Sequence, residues 1–492
     1  MSLPSKPSER TRLIRGVSST TAMFSRAGGL PRRGGSDCFD CSGSSSRFHH
    51  LTIPLLGASS ILPYLTILSS TDYFQTLYPR HPTQYTFPFL NFWWLLVGTS
   101  LVMSFGQRAS LRAKILLPNA LNTILLSPLP HIRSLPPTYL VLSLLSLSAS
   151  IPQSTLYGIA SKRKDSAIFI VRLESGKAIA GIYNVVVRMG GKIFTSHWTG
   201  ASEGTLTFKD SSVKAFFLAS GLMLFLSCVA FLIMEDDLNC SRSPPSSTPS
   251  QGGLYLERES SVTSRQDNKI PIPFGEAQGK PPPAAVIPPL LTKMQTVRAI
   301  YLQVVAVFLS FALCISLFPG LSTSLRSQTF GLKSYFPVLI VAVYNFSDLV
   351  GKWSAGRFPL PPWESGRQIL LPLILLVMTV PLLVISKVAD DNEKDGSSEA
   401  PTLSFFGNDA AKLLFVSMLG TLTGYTSTSA LILAPKKLVD NDNKEFAGQF
   451  MSMSLIFGLF VGSLVGVILS RLTTSGLDDG IPVPYPVFNN GD

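Results

Sequence analysis

The sequence predicts an all-α integral membrane protein of eleven transmembrane helices, arranged as a group of six followed by a group of five. Of its 492 residues, 46% are hydrophobic and only 14% are charged, whereas about a quarter of the residues are charged in an ordinary soluble protein. The mean hydropathy is +0.32, and apolar segments of about 20 residues, long enough to cross a bilayer, recur along the chain. These observations exclude a soluble or collagen-like protein, and five scattered Cys exclude a disulfide scaffold.

Each predicted span is a largely apolar segment. The spans are 51–71, 86–106, 114–132, 138–160, 174–195, 213–234, 299–319, 335–355, 368–388, 411–434 and 448–470. The third span is short and interrupted by Pro118, Pro128 and Pro130. The fifth span carries Arg188 and Lys192, so we expect it to face other helices rather than lipid.

Two polar segments divide the chain. Residues 1–50, rich in Ser, Gly and Arg, predict a disordered cytosolic tail, and residues 236–297, rich in Ser and Pro, predict a disordered cytosolic linker. The linker separates a six-helix membrane half (51–235) from a five-helix half (298–471). Lys and Arg concentrate in the tail and in alternate loops, which places the N-terminus in the cytosol and residues 472–492 on the other side.

The eighth span contains the most informative polar residues. Asn345, Asp348 and Lys352 follow one another at i, i+3 and i+7, so one face of a helix carries all three. A charged group within the bilayer is costly unless it is paired or hydrated. We therefore expect this face to line a polar cavity; the alternative is a structural ion pair whose Lys352 extends toward the cytosolic end.

The segment Asn345-Phe346-Ser347-Asp348-Leu349-Val350-Gly351-Lys352 resembles the N-x-x-D-x-x-G-R/K signature of the equilibrative nucleoside transporters. Further segments fall in the order that this family requires. They are Leu62-Pro63, Gln153-Ser154-Thr155-Leu156-Tyr157-Gly158, Ser175-Gly176-Lys177-Ala178-Ile179-Ala180-Gly181, Leu317-Phe318-Pro319-Gly320, Gly424-Tyr425 and Glu445-Phe446-Ala447-Gly448. The resemblance covers residues 55–470 without the linker.

This resemblance implies a major-facilitator-like bundle that carries nucleosides by alternating access. It also implies a set of substrate-binding residues: a cavity group that binds ribose, a nucleobase-edge amide with a nearby hydroxyl, an aromatic residue in the first span and an apolar residue in the last. They are Asn345, Asp348, Lys352, Gln153, Thr155, Tyr64 and Leu455. A nucleoside offers hydroxyls for a carboxylate, a base edge for an amide and a flat apolar face.

Departures from the family pattern leave the substrate partly undecided. Tyr64 stands where the family has Trp, and Lys352, in place of the commoner Arg, lacks bidentate geometry. A free nucleobase therefore stays an alternative substrate. The sequence also leaves uniport and proton symport through Asp348 as alternatives.

Two rival functions remain on sequence grounds. One is a major-facilitator transporter of another small solute, which would normally have twelve spans and a cytosolic C-terminus. The other is a non-transporting membrane receptor or scaffold that signals through residues 236–297. The net charge of +12 is assigned to cytosolic loops rather than to a nucleic-acid partner.

No catalytic or cofactor motif is found in the sequence. It has no Gly-rich phosphate loop, His-Glu-x-x-His or Gly-x-Ser-x-Gly, so we expect neither an enzyme, a cofactor nor a metal site. Cys38 and Cys41, followed by a His pair, have zinc-ligand chemistry but lie in the polar tail. Glu9 followed by Leu13-Ile14 resembles an acidic dileucine signal, so the plasma membrane and the vacuolar or lysosomal membrane are the expected locations.

Overall fold

The computed structural model describes residues 45–199, 210–240 and 289–474, with gaps at 80, 82, 107–108, 319, 324, 333–334, 361–366 and 395–404. Most of the predicted linker and nearly all of both predicted tails lie outside the described residues. So do Glu9, Leu13, Ile14, Cys38 and Cys41. The described residues form one compact unit.

Within the described residues, each of the eleven predicted spans overlaps one long helix. These helices are α1 (Ser45–Ser69), α2 (Thr83–Phe105), α3 (Leu111–Leu126), α4 (Leu135–Lys162), α5 (Ser166–Thr199), α6 (Asp210–Cys240), α7 (Tyr301–Leu317), α8 (Phe336–Arg357), α9 (Leu370–Lys394), α10 (Asp409–Lys436) and α11 (Asn441–Thr474). Short helices at Thr71–Leu77, Pro289–Ala299 and Gly320–Thr323 connect them. Helix α1 begins inside the segment predicted as tail, and Pro289–Ala299 lies mostly inside the predicted linker.

Seven of these helices are long and apolar enough to cross a membrane on their own: α1, α2, α4, α6, α7, α9 and α11. The prediction of an all-α membrane protein is thereby confirmed. The number eleven stays a prediction, because α3, α5, α8 and α10 do not reach the same length and composition within the described residues. Helices α5 and α8 fall short because they carry the buried charges described below.

Helix α3 is shorter than its predicted span of 114–132. It starts where the Ser110 hydroxyl accepts a hydrogen bond from the Ala113 amide at 3.3 Å, and it ends at Leu126. A 3₁₀ turn at Leu129–His131 follows it, because Pro128 and Pro130 lack the N–H groups that would continue the helix. Sixteen residues at about 1.5 Å each give about 24 Å, less than the apolar thickness of a bilayer.

Helices α1 and α5 approach each other through a reciprocal pair of glycines. A Cβ on Gly57 of α1 would lie 2.1 Å from the Leu173 carbonyl oxygen, and one on Gly176 of α5 would lie 1.9 Å from the Pro54 carbonyl oxygen. Any larger residue at either position would therefore push the two backbones apart. Small residues at helix contacts are the usual means of close packing in membranes.

Helices α8 and α10 also approach each other closely through a pair of glycines. A Cβ on Gly351 would lie 2.2 Å from the Thr421 carbonyl oxygen, and one on Gly424 would lie 2.4 Å from the Asp348 carbonyl oxygen. The Gly of the N-x-x-D-x-x-G-K motif is therefore required by packing, and Gly424 brings α10 directly against Asp348.

A buried acid at the start of α10 holds the loop that precedes α8. The Asp409 carboxylate accepts hydrogen bonds from the amides of Gln328, Thr329 and Phe330 at 2.8–3.0 Å and from the Ser327 hydroxyl at 2.7 Å. Burial alone would raise the pKa of Asp409, but these hydrogen bonds hold it below its ordinary value.

A second acid, Asp390 at the end of α9, holds the same loop. It accepts from the Arg326 amide at 2.9 Å and forms a buried ion pair with Lys412, whose ammonium donates to the Arg326 carbonyl at 2.8 Å. The loop is thus fixed to both α9 and α10.

The first six helices meet the last five along α4 with α11, α5 with α8, and α2 with α11. A single cluster of buried apolar side chains extends across this boundary and includes Tyr64, Leu156, Phe318, Tyr344 and Leu455. The boundary is therefore part of the packed interior, and Glu174, Lys177, Asp348 and Lys352 are buried along it, whereas Asp390, Asp409 and Lys412 lie within the last five helices.

Candidate functional site

Asp348 and Lys352 form a buried ion pair on α8. The Lys352 ammonium lies 2.7 Å from Asp348 Oδ2, and Lys352 and Asp348 are only 5% and 7% exposed. Their i, i+4 spacing with the acid first is the favourable order on a helix. Asp348 thus faces neighbouring helices instead of lipid.

A second pair of opposite charges lies on α5, directly across the boundary. Glu174 Oε1 is 3.2 Å from the Lys177 ammonium, and Glu174 Oε2 is 3.4 Å from the Lys352 ammonium. The Tyr157 hydroxyl of α4 donates to Glu174 and accepts from Lys177. The Lys177 ammonium also lies 4.4 Å from the centre of the Tyr157 ring, a cation–π distance.

These four charged groups form one neutral cluster, which we call the ion cluster: Glu174, Lys177, Asp348 and Lys352. Its two acids and two bases cancel, so burial leaves no net charge in a region of low dielectric constant. Carboxylate oxygens can accept hydrogen bonds from sugar hydroxyls, and ammonium groups can donate to hydroxyl or carbonyl oxygens. The ion cluster is therefore chemically suited to a polar, uncharged solute with several hydroxyls.

Asn345 is partly buried and lies against α5. Its side-chain nitrogen donates to the Val341 carbonyl at 2.8 Å, and a Cβ on Gly181 would lie 2.0 Å from its side-chain oxygen. Asn345 is therefore on the same contact between α5 and α8 as the ion cluster, two helical turns away from Lys352.

The two predicted residues of α4 differ in their surroundings. Gln153 is buried and lies one turn before Tyr157, so it shares the helix face that points toward the ion cluster. Thr155 is two residues away, which directs it to another face, and its hydroxyl donates to the Ile151 carbonyl at 2.7 Å. The structure thus brings Gln153, but not Thr155, onto the face of Tyr157.

The predicted aromatic and last-span residues belong to the apolar cluster at the boundary. The Tyr64 ring of α1 lies 4.8 Å from the Phe92 ring of α2. Leu455 of α11 is 2% exposed. One turn before Asp348, the Tyr344 ring stacks on Phe318 at 4.0 Å and 16°, and its hydroxyl is 2.7 Å from Cys314 Sγ. This stacked pair is an additional flat apolar surface near the ion cluster.

Sequence reasoning missed Glu174, Lys177, Tyr157 and Tyr344. The signal for the first two was present: an acid and a base three residues apart within an apolar span, which indicates an internal pair. The prediction for that span rested instead on Arg188 and Lys192. Among the described residues, no group of three or more His, Cys, Asp or Glu side chains is placed to hold a metal ion.

Comparison with known proteins identifies the family. The family model described as "Nucleoside transporter" matches residues 139–471. Equilibrative nucleoside transporter 4 of Homo sapiens is 30% identical over 184 residues, which are 37% of this chain and 32% of that protein. Equilibrative nucleotide transporter 8 of Arabidopsis thaliana is 23% identical over 427 residues, 84% of this chain and 92% of that protein.

The chain therefore spans only about a third of the length of the human relative. Among solved structures, the outward conformation of the major facilitator superfamily transporter FucP matches with a TM-score of 0.49 at 12% identity, over 86% of this chain and 98% of that chain. The family model covers most of the membrane helices, including all the charged residues of the ion cluster. It describes transporters, in agreement with the prediction that the protein is not an enzyme, and the resemblance seen in the motifs is confirmed: this chain belongs to the nucleoside transporter family.

Proposed function

We propose that this protein is a facilitative transporter that moves nucleosides across a membrane by alternating access. One observation carries the proposal: within a chain of the nucleoside transporter family, the motif residues Asp348 and Lys352 form a buried pair at the boundary between the first six and the last five helices. A transporter needs its polar site at such a boundary, because the site must face each side of the membrane in turn.

The binding roles follow from the chemistry of a nucleoside. Asp348 accepts hydrogen bonds from the ribose hydroxyls, and Lys352 donates to them. Gln153 pairs with an edge of the base, and Asn345 supplies a further amide. These roles are supported by the burial of Asp348, Lys352 and Gln153 and by the common face of Gln153 and Tyr157.

The apolar part of the substrate would lie against aromatic side chains. We propose that Tyr64 packs against the base and that Leu455 closes the apolar side of the site, since both belong to the same buried cluster. We keep Thr155 as a minor contact, because its hydroxyl already bonds within its own helix.

The two halves, 51–235 and 298–471, would rock about this site, with residues 236–297 as a connection that takes no part in binding. A chain lacking most of that connection should then still transport. Loss of uptake by a deletion variant that reaches the membrane would instead favour the receptor or scaffold function.

Uptake of radiolabelled uridine and adenosine into proteoliposomes tests the proposal. We expect uptake that saturates with substrate, net uptake that stops when the nucleoside concentrations inside and outside are equal, and uptake of the label that accelerates by exchange when unlabelled nucleoside is loaded inside. Absence of uptake for every nucleoside and nucleobase would reject the proposal.

The same uptake assay tests whether free nucleobases are substrates and whether transport is coupled to protons. A panel of free nucleobases decides whether they share the site, since a nucleobase lacks the hydroxyls that Asp348 would bind. An imposed pH gradient decides between uniport and proton symport: for a uniporter, net uptake at equal substrate concentration on both sides stays at zero, whereas a proton symporter accumulates substrate.

We propose a cytosolic N-terminus, from the distribution of Lys and Arg. Protease protection of terminal tags in sealed cells tests this orientation. Fluorescence of a tagged chain distinguishes the plasma membrane from a vacuolar or lysosomal one, and replacement of Leu13 and Ile14 tests the sorting signal.

A further inference from the structure

The contact between α5 and α8 has a constant antiparallel register. A Cβ on Gly356 would lie 2.9 Å from Val171 Cγ2, Lys352 lies against Glu174, and Asn345 lies against Gly181. From one of these contacts to the next, the residue number rises along α5 by about as much as it falls along α8, as it does in two antiparallel helices of fixed register. We call this contact the α5/α8 seam.

Within the α5/α8 seam, Lys352 is shared unequally between two acids. It lies 2.7 Å from Asp348, on its own helix, and 3.4 Å from Glu174, on the opposite one. Asp348 is therefore the tighter partner. The pair that joins the two groups of helices is the looser one.

Each helix of the α5/α8 seam keeps an acid and a base of its own. Glu174 is 3.2 Å from Lys177 on α5, just as Asp348 is paired with Lys352 on α8. If the helices separate, each carries away a neutral pair, and neither is left with a lone buried charge, which would be strongly unfavourable. The pair across the α5/α8 seam can therefore break at a modest electrostatic cost.

Tyr157 connects the ion cluster to a second contact across the boundary. Its hydroxyl bonds Glu174 and Lys177, while a Cβ on Gly448 of α11 would lie 2.3 Å from its carbonyl oxygen and 2.4 Å from Ser161 Oγ. At the end of α4, the Lys162 ammonium is 3.5 Å from Asp442 and also pairs with Glu445. These contacts hold α4 against α11 at the end of the bundle where α4 ends and α11 begins, which we call the α4/α11 end.

We propose that Glu174 is a positioning residue for transport: its ion pair with Lys352 holds α5 against α8 while the α4/α11 end is closed, and breaks when that end opens. This inference rests on the proposed alternating-access function and adds a residue to it. Glu174 sets the balance between conformations, whereas Asp348 binds substrate.

A cysteine reporter measures this balance. In a chain whose five native Cys are replaced, Ser161→Cys places a thiol against Gly448, shielded while the α4/α11 end is closed. The rate of its reaction with a water-soluble methanethiosulfonate reagent is compared in three backgrounds: the native charges, the neutral Glu174→Gln/Lys177→Gln, and the exchanged Glu174→Lys/Lys177→Glu. Each double variant keeps the net charge of α5, so neither leaves an unpaired charge on that helix.

We expect the rate to rise by about fivefold or more in the neutral variant, the scale of an ordinary coupling between two sites. It should rise further in the exchanged variant, because the introduced lysine would face the ammonium of Lys352. Equal rates in native and neutral backgrounds would overturn the inference, and if the exchanged variant does not fold, the neutral one decides alone.

Transport kinetics supply a second readout. In the neutral variant, the equilibrium affinity for uridine should change by a smaller factor than the maximal uptake rate does, because the Asp348–Lys352 pair is intact. The thiol reaction needs no substrate. Unchanged thiol rates therefore reject only the role of Glu174, whereas missing uptake by the native chain rejects only the proposed transport function.

Discussion

Neutralising Asp348 and Lys352 together distinguishes a substrate-binding pair from a structural one. Asp348→Asn alone removes the 2.7 Å partner of Lys352 and leaves the ion cluster with one excess positive charge. Lys352→Gln alone leaves one excess negative charge. The double variant Asp348→Asn/Lys352→Gln restores neutrality while it removes both charged groups that would contact the ribose.

The expected energies differ between the single and double variants. Breaking a buried ion pair costs about 3–5 kcal/mol, while replacing both partners by neutral groups is often close to neutral. Because Glu174 remains 3.4 Å from Lys352, we expect the lower end of that range for Asp348→Asn. Lost hydrogen bonds to a charged group cost about 1.5–3 kcal/mol, which at about 1.4 kcal/mol per factor of ten weakens nucleoside binding by roughly 10- to 150-fold.

Two assays on the same purified variants test this reasoning. Thermal unfolding in detergent should show both single variants destabilised and the double variant recovered by about 2 kcal/mol or more relative to them. Uridine uptake should be low in all three. A double variant that regains stability and also transports at the native rate would refute the binding role and make the pair structural.

Three further perturbations test the helix packing, the proposed site and the loop before α8. Gly424→Val should destabilise the protein by about 1–3 kcal/mol or more, because its Cβ would lie 2.4 Å from the Asp348 carbonyl oxygen. Gly190→Ala, with nothing within 4 Å of its Cβ, should not lower the melting temperature, since Ala is favoured over Gly inside a helix. Gln153→Ala should weaken nucleoside binding about two- to tenfold, the worth of a neutral hydrogen bond; unchanged affinity across purine and pyrimidine nucleosides would remove Gln153 from the site. The pKa of Asp409 is lower in the folded protein than in the unfolded chain. The stability that Asp409 contributes is therefore complete above the unfolded pKa of about 3.9, and it is lost as the pH falls through the lower folded pKa. Asp409→Asn should therefore lower the melting temperature at neutral pH and flatten its decline in acid, and a parallel decline in both proteins would show that other groups carry the acid sensitivity.

Local pattern was enough to predict where the helices lie. Within the described residues each apolar run overlaps a helix, because a membrane helix satisfies its backbone internally and needs only a continuous apolar segment. The early end of α3 was harder to predict, although the prolines that cause it were visible: a sequence window averages hydropathy over Pro128 and Pro130, whereas the backbone cannot continue through them.

The candidate site was predictable to the extent that it lies on one helix. The i, i+4 spacing of Asp348 and Lys352 is a property of α8 alone, and the structure shows the pair. The role of Glu174 depends on which helix lies opposite α8 and at which register, and neither is encoded in a short motif. Thr155 shows the converse: a motif position is fixed in sequence, but its side chain is already engaged by its own helix.

The reciprocal contact of Gly57 and Gly176 couples the positions of α1 and α5. Because a carbonyl of each helix lies against a glycine of the other, a displacement of one helix pushes on the other, and we expect a tilt of α5 to move Tyr64 of α1 together with Glu174. Tyr64, which we propose packs against the base, and Glu174, which we propose holds α5 against α8, would then shift together. A bulky residue at Gly57 should uncouple them, so that substrate contact would no longer be transmitted to the closing end.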